Sequence, residues 1–168
     1  GAIAEVAQEF SGKLLAWMDT GDALSEKFFA GLRNWLNKSG GFISVKSGDN
    51  TMSDWTHKGV FEYFKDDHRL YDDLPNCSSG VVVFDMDVNR RVIDEWYKCA
   101  LNKECIAPSG SSRLNHRQDQ AIITYLLARR GIYCNVTKEE LGVEIHLDKT
   151  CKEYNKKYER KYGLDHIV

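Results

Sequence analysis

The run Gly80-Val81-Val82-Val83-Phe84 constrains this chain more than any other segment. Branched valine side chains are stiff about χ1 and crowd a helix, whereas they pack readily on a pleated surface. The run does not alternate with polar residues, so it has no face to give to water. It predicts a strand buried on both sides, as in a parallel sheet covered by helices. Such a strand needs two layers of other elements around it.

The rest of the chain offers those layers. An amphipathic helix is expected over residues 3–10, and an apolar strand over 13–18 that stops at Asp19-Thr20-Gly21-Asp22. A helix beginning at Ser25 places Phe28, Phe29, Leu32 and Leu36 on one face and closes at Gly40-Gly41. A strand over 42–46, a polar loop around Ser47-Gly48-Asp49-Asn50 and a short helix over 57–64 follow. After the valine run, helices are expected over 90–101, burying Val92, Trp96 and Ala100, and over 118–130, burying Ile122, Ile123, Leu126 and Leu127. Short strands over 132–135 and 143–147 and a charged helix over 152–162 complete the reading. The whole chain, 1–168, reads as one α/β domain with ligands at the carboxyl ends of its strands.

Composition excludes several functions. The net charge of −2 leaves no electrostatic footprint for nucleic acid. No stretch approaches the ~20 apolar residues of a membrane span. The five cysteines form no pattern of zinc ligands, and Cys99 and Cys105 are spaced to pair across a short turn in an oxidising compartment. Three N-x-[ST] sequons begin at Asn37, Asn76 and Asn135, which leans the reading towards the secretory pathway and the Golgi lumen.

Asp19-Thr20-Gly21-Asp22 puts two carboxylates where an apolar strand runs out. Mg2+ and Mn2+ prefer such hard oxygen ligands, and Gly21 permits a positive φ and a close backbone approach. A helix cap by Asp22 within an Asx turn fits the same four residues. Val83-Phe84-Asp85-Met86-Asp87 also matches the apolar-Asp-x-Asp strand end of haloacid-dehalogenase-type phosphatases, where the first Asp is the nucleophile and the second the acid/base. The residues that should follow are absent, since Val88-Asn89-Arg90 comes next. Asp85 and Asp87 are therefore expected to cap the next helix.

Longer blocks carry a resemblance. Cys77-Ser78-Ser79-Gly80 with the valine strand is similar to the small-Gly-apolar strand of GT-A glycosyltransferases. Trp96-Tyr97-Lys98-Cys99-Ala100-Leu101, continuing through Cys105-Ile106-Ala107-Pro108, resembles a family of predicted glycosyltransferases whose members read W-x-x-C-A-L-x-x-x-C-I-A-P. The block His116-Arg117-Gln118-Asp119-Gln120-Ala121 resembles the H-R-x-D-Q block of the same family, and Trp17-Met18-Asp19 and Trp55-Thr56-His57-Lys58-Gly59 are similar to it as well. The resemblance spans most of residues 3–135.

What it implies is a GT-A-like mixed sheet with helices on both faces and a hexosyltransferase activity. The implied donor is a UDP- or GDP-sugar, and the implied acceptor is a hydroxyl of a glycan or protein-linked acceptor. Asp19 and Asp22 are the implied holders of a divalent cation, Mn2+ or Mg2+, through a DXD-like motif with one extra residue. A late His joins the metal in some retaining members, which makes His146 a candidate third ligand. Ser79 and Gly80 would floor the donor pocket, with Arg117 and Gln120 reaching the substrates and His57 lining the acceptor site. Asp119 is the candidate base, with a helix-start role as its alternative. Eighteen residues precede Asp19, whereas two or more βαβ units of about 30 residues each precede the acidic turn in that fold. Part of the nucleotide-binding half is therefore expected to lie outside this chain. A truncated, non-catalytic domain binding a glycan or a partner is one alternative function, and a haloacid-dehalogenase-type phosphatase using Asp85 and Asp87 is the second.

Overall fold

The computed structural model describes residues 2–10 and 13–145. His146, Cys151 and the helix expected over 152–162 lie outside the described residues. The described residues form, in chain order, α1 (Ala2–Glu9), β1 (Leu14–Met18), β2 (Ala23–Leu24), α2 (Glu26–Lys38), β3 (Phe42–Ile43), β4 (Lys46–Thr51), α3 (Met52–Trp55), α4 (Lys58–Phe64), β5 (Pro75–Cys77), β6 (Val81–Asp85), α5 (Met86–Ala100), α6 (Lys103–Ile106), α7 (Gln118–Ala128), α8 (Lys138–Leu141) and β7 (Val143–Glu144). A 3-10 turn at His68–Leu70 joins α4 to β5.

The valine run forms β6, the middle strand of a three-stranded sheet ordered β1-β6-β3. Val81 to Phe84 are all buried, as their sequence requires. Their neighbours run the other way, however. Ala16 faces Val83 from β1 and Phe42 faces Phe84 from β3, both in antiparallel register. Every strand pair among the described residues is antiparallel, which corrects the expectation of a parallel or mixed sheet. The apolar run reports burial on two faces, and burial is blind to strand direction.

Alternation along β6 divides the core in two. Val82 and Phe84 point into a large cluster with Phe61, Met86, Ile93, Tyr125 and Leu126. Val81 and Val83 point the other way, into a smaller cluster with Phe28, Leu36, Val45 and Leu141. Helices therefore cover both faces of this sheet. At about 1.5–3 kcal/mol per fully buried side chain, the strand holds the two layers together.

α7 is buried from Ala121 to Ala128 on every side, so it shows no polar stripe and runs through the centre of the large cluster. α2 differs, with Phe28 and Leu36 buried and Phe29 62% exposed. Successive helix residues lie about 100° apart, so both phenylalanines cannot share the core stripe. The C-terminus of α2 turns through Gly40 and Gly41, both at positive φ, and Gly41 N–H donates to the Leu36 carbonyl at 2.8 Å. In α5, Val92 is buried as expected, while Ala100 is exposed and Cys99 takes the inward position.

Other boundaries shift. Residues 46–51, expected mostly as loop, form β4 against β5 with an irregular register between Lys46 and Thr51. Residues 132–135 form no strand; Cys134 is instead tied to Cys77 by a disulfide, and a second disulfide joins Cys99 to Cys105 as their spacing suggested.

Candidate functional site at the Asp19 turn and the Asp119 cavity

The acidic turn sits where β1 leaves the sheet. Asp22 N–H donates to the Asp19 carbonyl at 3.0 Å, and Asp19 N–H donates to the Gly80 carbonyl at 2.8 Å. The turn closes without a positive φ at Gly21, so that expectation is corrected. Asp22 does not cap the next helix either, since β2 follows directly and Ser25 is the N-cap of α2. Asp22 is buried, whereas Asp19 is exposed and accepts a bond from the Trp17 indole N–H at 2.9 Å.

Gly80 faces both carboxylates. A methyl group built on it would stand 2.5 Å from Asp22 Oδ2 and 3.6 Å from Asp19 Oδ2. Only a glycine leaves that space open. The backbone here is fixed by its neighbours, since Ser78 N–H donates to the Val45 carbonyl at 2.8 Å and the Ser44 hydroxyl donates to the Ser78 carbonyl at 2.6 Å.

Ser79, next to Gly80, opens into a polar cavity of about 410 Å3, whose walls include Trp55, His116, Arg117, Asp119 and Gln120. Four of the residues singled out from sequence thus share one cavity. The Arg117 guanidinium lies over the Trp55 ring at 3.9 Å, and the Arg117 backbone N–H donates to the Trp55 carbonyl at 3.0 Å. Such a cation–π contact orients a guanidinium without neutralising it. Arg113 joins it in the same wall, and no described carboxylate forms a salt bridge with either arginine. Gln118, which also lines the cavity, adopts φ +41, an uncommon geometry for a residue with a Cβ.

Asp119 stands in the first turn of α7, two residues after the N-cap Arg117. Its surface opens onto the cavity, yet the surrounding walls exclude enough water to push its carboxyl above the ordinary carboxylate range. Backbone N–H groups at Gln120 and Asp119 pull it back down, and smaller effects follow from the negative charge of Asp19, which raises it, and from His116, which lowers it. Asp119 also borders a smaller apolar cavity of about 220 Å3, walled by Trp17, Ile93, Trp96 and Tyr97. The Trp96 indole N–H donates to the Asp119 carbonyl at 3.1 Å and fixes the start of α7 against α5.

His116 is buried and held from both ring nitrogens. Its Nδ1 accepts the His57 N–H at 3.4 Å, and its Nε2 lies 2.9 Å from the Ile106 carbonyl, which requires a proton on Nε2. Burial holds its pKa below the ordinary histidine value. His57 does not line the polar cavity; it is the N-cap of α4, with Nδ1 accepting from Gly59 N–H at 3.1 Å. Asp85 is likewise a cap, accepting the Asp87 N–H at 3.0 Å at the start of α5.

Trp55, Arg113, His116 and Asn50 belong to this cavity but were not chosen as site residues from sequence. Trp55 opens the Trp55-Thr56-His57-Lys58-Gly59 segment and His116 the His-Arg-x-Asp-Gln block, so a local signal marks both. Arg113 sits in a loop and Asn50 in an irregular strand, and neither has a local pattern to reveal it.

Two carboxylates from the turn suit Mg2+ or Mn2+, which often use one or two protein carboxylates and complete their shell with substrate phosphates. Among the described residues no group of three or more His, Cys, Asp and Glu side chains is placed to hold a metal. No protein-family model, curated protein or solved structure matches this chain.

Proposed function

We propose that this chain is the metal- and acceptor-side part of a GT-A-type glycosyltransferase, moving a sugar from a UDP- or GDP-sugar to a hydroxyl. The observation that carries the reading is the Ser79-Gly80 dipeptide. Gly80 touches the two-carboxylate turn, while Ser79 opens into the cavity that holds Arg117, Asp119 and Gln120.

In this reading Asp19 and Asp22 would hold Mn2+ or Mg2+, whose positive charge would offset the negative charge of the leaving diphosphate. Gly80 keeps the space before those carboxylates clear for the donor. Arg117, oriented by Trp55, and Gln120 bind polar groups of the substrates, and Ser79 offers a hydroxyl to the donor sugar. Asp119 accepts a hydrogen bond from the attacking hydroxyl and takes its proton, and a carboxyl above the ordinary range is the stronger base for that task. Two disulfides and exposed sequons support a place in the oxidising secretory pathway.

Thermal unfolding with Mn2+ and a panel of UDP- and GDP-sugars, together with a transfer assay, tests the reading. A donor at a hundred times its Kd stabilises by about 2.7 kcal/mol, and the expected shift requires Mn2+ and vanishes in Asp19→Ala. Asp119→Asn is expected to keep the shift and lose transfer by about 10²–10⁴-fold. Absence of a shift with every donor in the unmutated protein would overturn the reading. Full transfer by Asp119→Asn would remove its assignment as base.

A further inference from the structure

The three sequons do not occupy equivalent places in the fold. Asn37 is exposed in the last turn of α2, and Asn135 is exposed just after Cys134. Asn76 is wholly buried in β5, with its amide Nδ2 3.5 Å from the Asn50 carbonyl. The Cys77–Cys134 disulfide lies between two of them, because Cys77 follows Asn76 and Cys134 precedes Asn135. One cross-link therefore ties a buried sequon directly to an exposed one.

We infer that Asn37 and Asn135 are N-glycosylation sites and that the Asn76 sequon stays unmodified in the folded protein. The reaction forms a bond between the Asn Nδ2 and the anomeric carbon of an oligosaccharide carried on a lipid diphosphate. The sugar–phosphate bond breaks, the lipid diphosphate leaves, and the amide loses one proton. A glycan is bulky and solvated, so the folded chain accommodates it at Asn37 and Asn135. At Asn76 it would have to displace the packing around β5.

The third residues of the exposed sequons show when the step occurs. The Ser39 hydroxyl donates to the Trp35 carbonyl at 2.7 Å, and Thr137 Oγ1 accepts the Glu140 N–H at 3.2 Å as part of a capping box. Both hydroxyls are engaged once the chain has folded, so modification belongs to the extended, unfolded chain. In that state Asn76 is also reachable. A molecule modified there cannot bury the residue, and Cys77 is kept from its place beside Cys134. The folded population is thereby sorted by the core. This inference is independent of the transferase reading, since it rests on burial and covalent links alone.

The test is to secrete this chain from a eukaryotic host behind a cleavable signal and to isolate the folded, disulfide-linked fraction. An amidase that releases Asn-linked glycans in heavy-oxygen water marks each occupied site as labelled Asp for peptide mass spectrometry. Labelled positions 37 and 135, with an unlabelled Asn76 in molecules carrying the Cys77–Cys134 link, are expected. Asn37→Gln and Asn135→Gln, both at exposed positions, are each expected to remove one glycan step on a gel without loss of secretion. Label at position 76 in the linked molecules overturns the inference, as does an unlabelled 37 or 135.

Discussion

Replacing Gly80 with Ala tests the geometry that joins the turn to the cavity. The added methyl meets Asp22 Oδ2 at 2.5 Å, whereas ordinary contact begins near 3.4 Å, so something must move by about 1 Å. Asp22 is 8% exposed, and its backbone is tied to the Asp19 carbonyl, so its carboxylate has little room to withdraw. Overpacking of this kind costs about 1–3 kcal/mol, or roughly 2–12 °C in Tm for a chain of this size. The sharper readout is a double-mutant cycle with Asp22→Ala, measured by denaturant unfolding of the four proteins. Removing the carboxylate removes the atom that clashes, so the double variant is expected to be more stable than the sum of single effects by about 0.5–3 kcal/mol. Additivity within about 0.5 kcal/mol would refute the contact, and with it the argument that Gly80 holds open the space before the carboxylates.

The two disulfides are expected to differ in worth. Chain-entropy arguments give about 4 kcal/mol for Cys77–Cys134, which closes a separation of 57 residues, and about 2 kcal/mol for Cys99–Cys105, separated by 6. Denaturant midpoints of the paired Cys→Ser variants check the order, and a larger loss from the short loop would contradict it. His116 is expected to make stability depend on pH. Its folded pKa lies below the unfolded value of about 6.5, so the stability it contributes is complete above that pH and declines as pH falls through the lower folded pKa. His116→Gln, which does not titrate, is expected to flatten the fall in Tm between pH 7 and 5; an unchanged slope would sink the assignment.

The sequence by itself determined which segments had to be buried. Val81 to Phe84 and Ile122 to Leu127 carry their burial in local composition, and an apolar run has one low-energy environment wherever it is placed. The acidic turn and the His-Arg-x-Asp-Gln block were legible as candidates because their chemistry lies within a few consecutive residues. Tertiary structure decided the relations between segments. Strand direction follows from how the chain is routed, and β6 looks the same from within whether its neighbours are parallel or antiparallel. The approach of Gly80 to Asp22 spans 58 residues and depends on where β1 and β6 end in their shared register. The same holds for the Cys77–Cys134 link and for the arginine seated on Trp55. Asn76 and Asn135 both head N-x-[ST] sequons, and the packing around β5 buries the one and leaves the other in water.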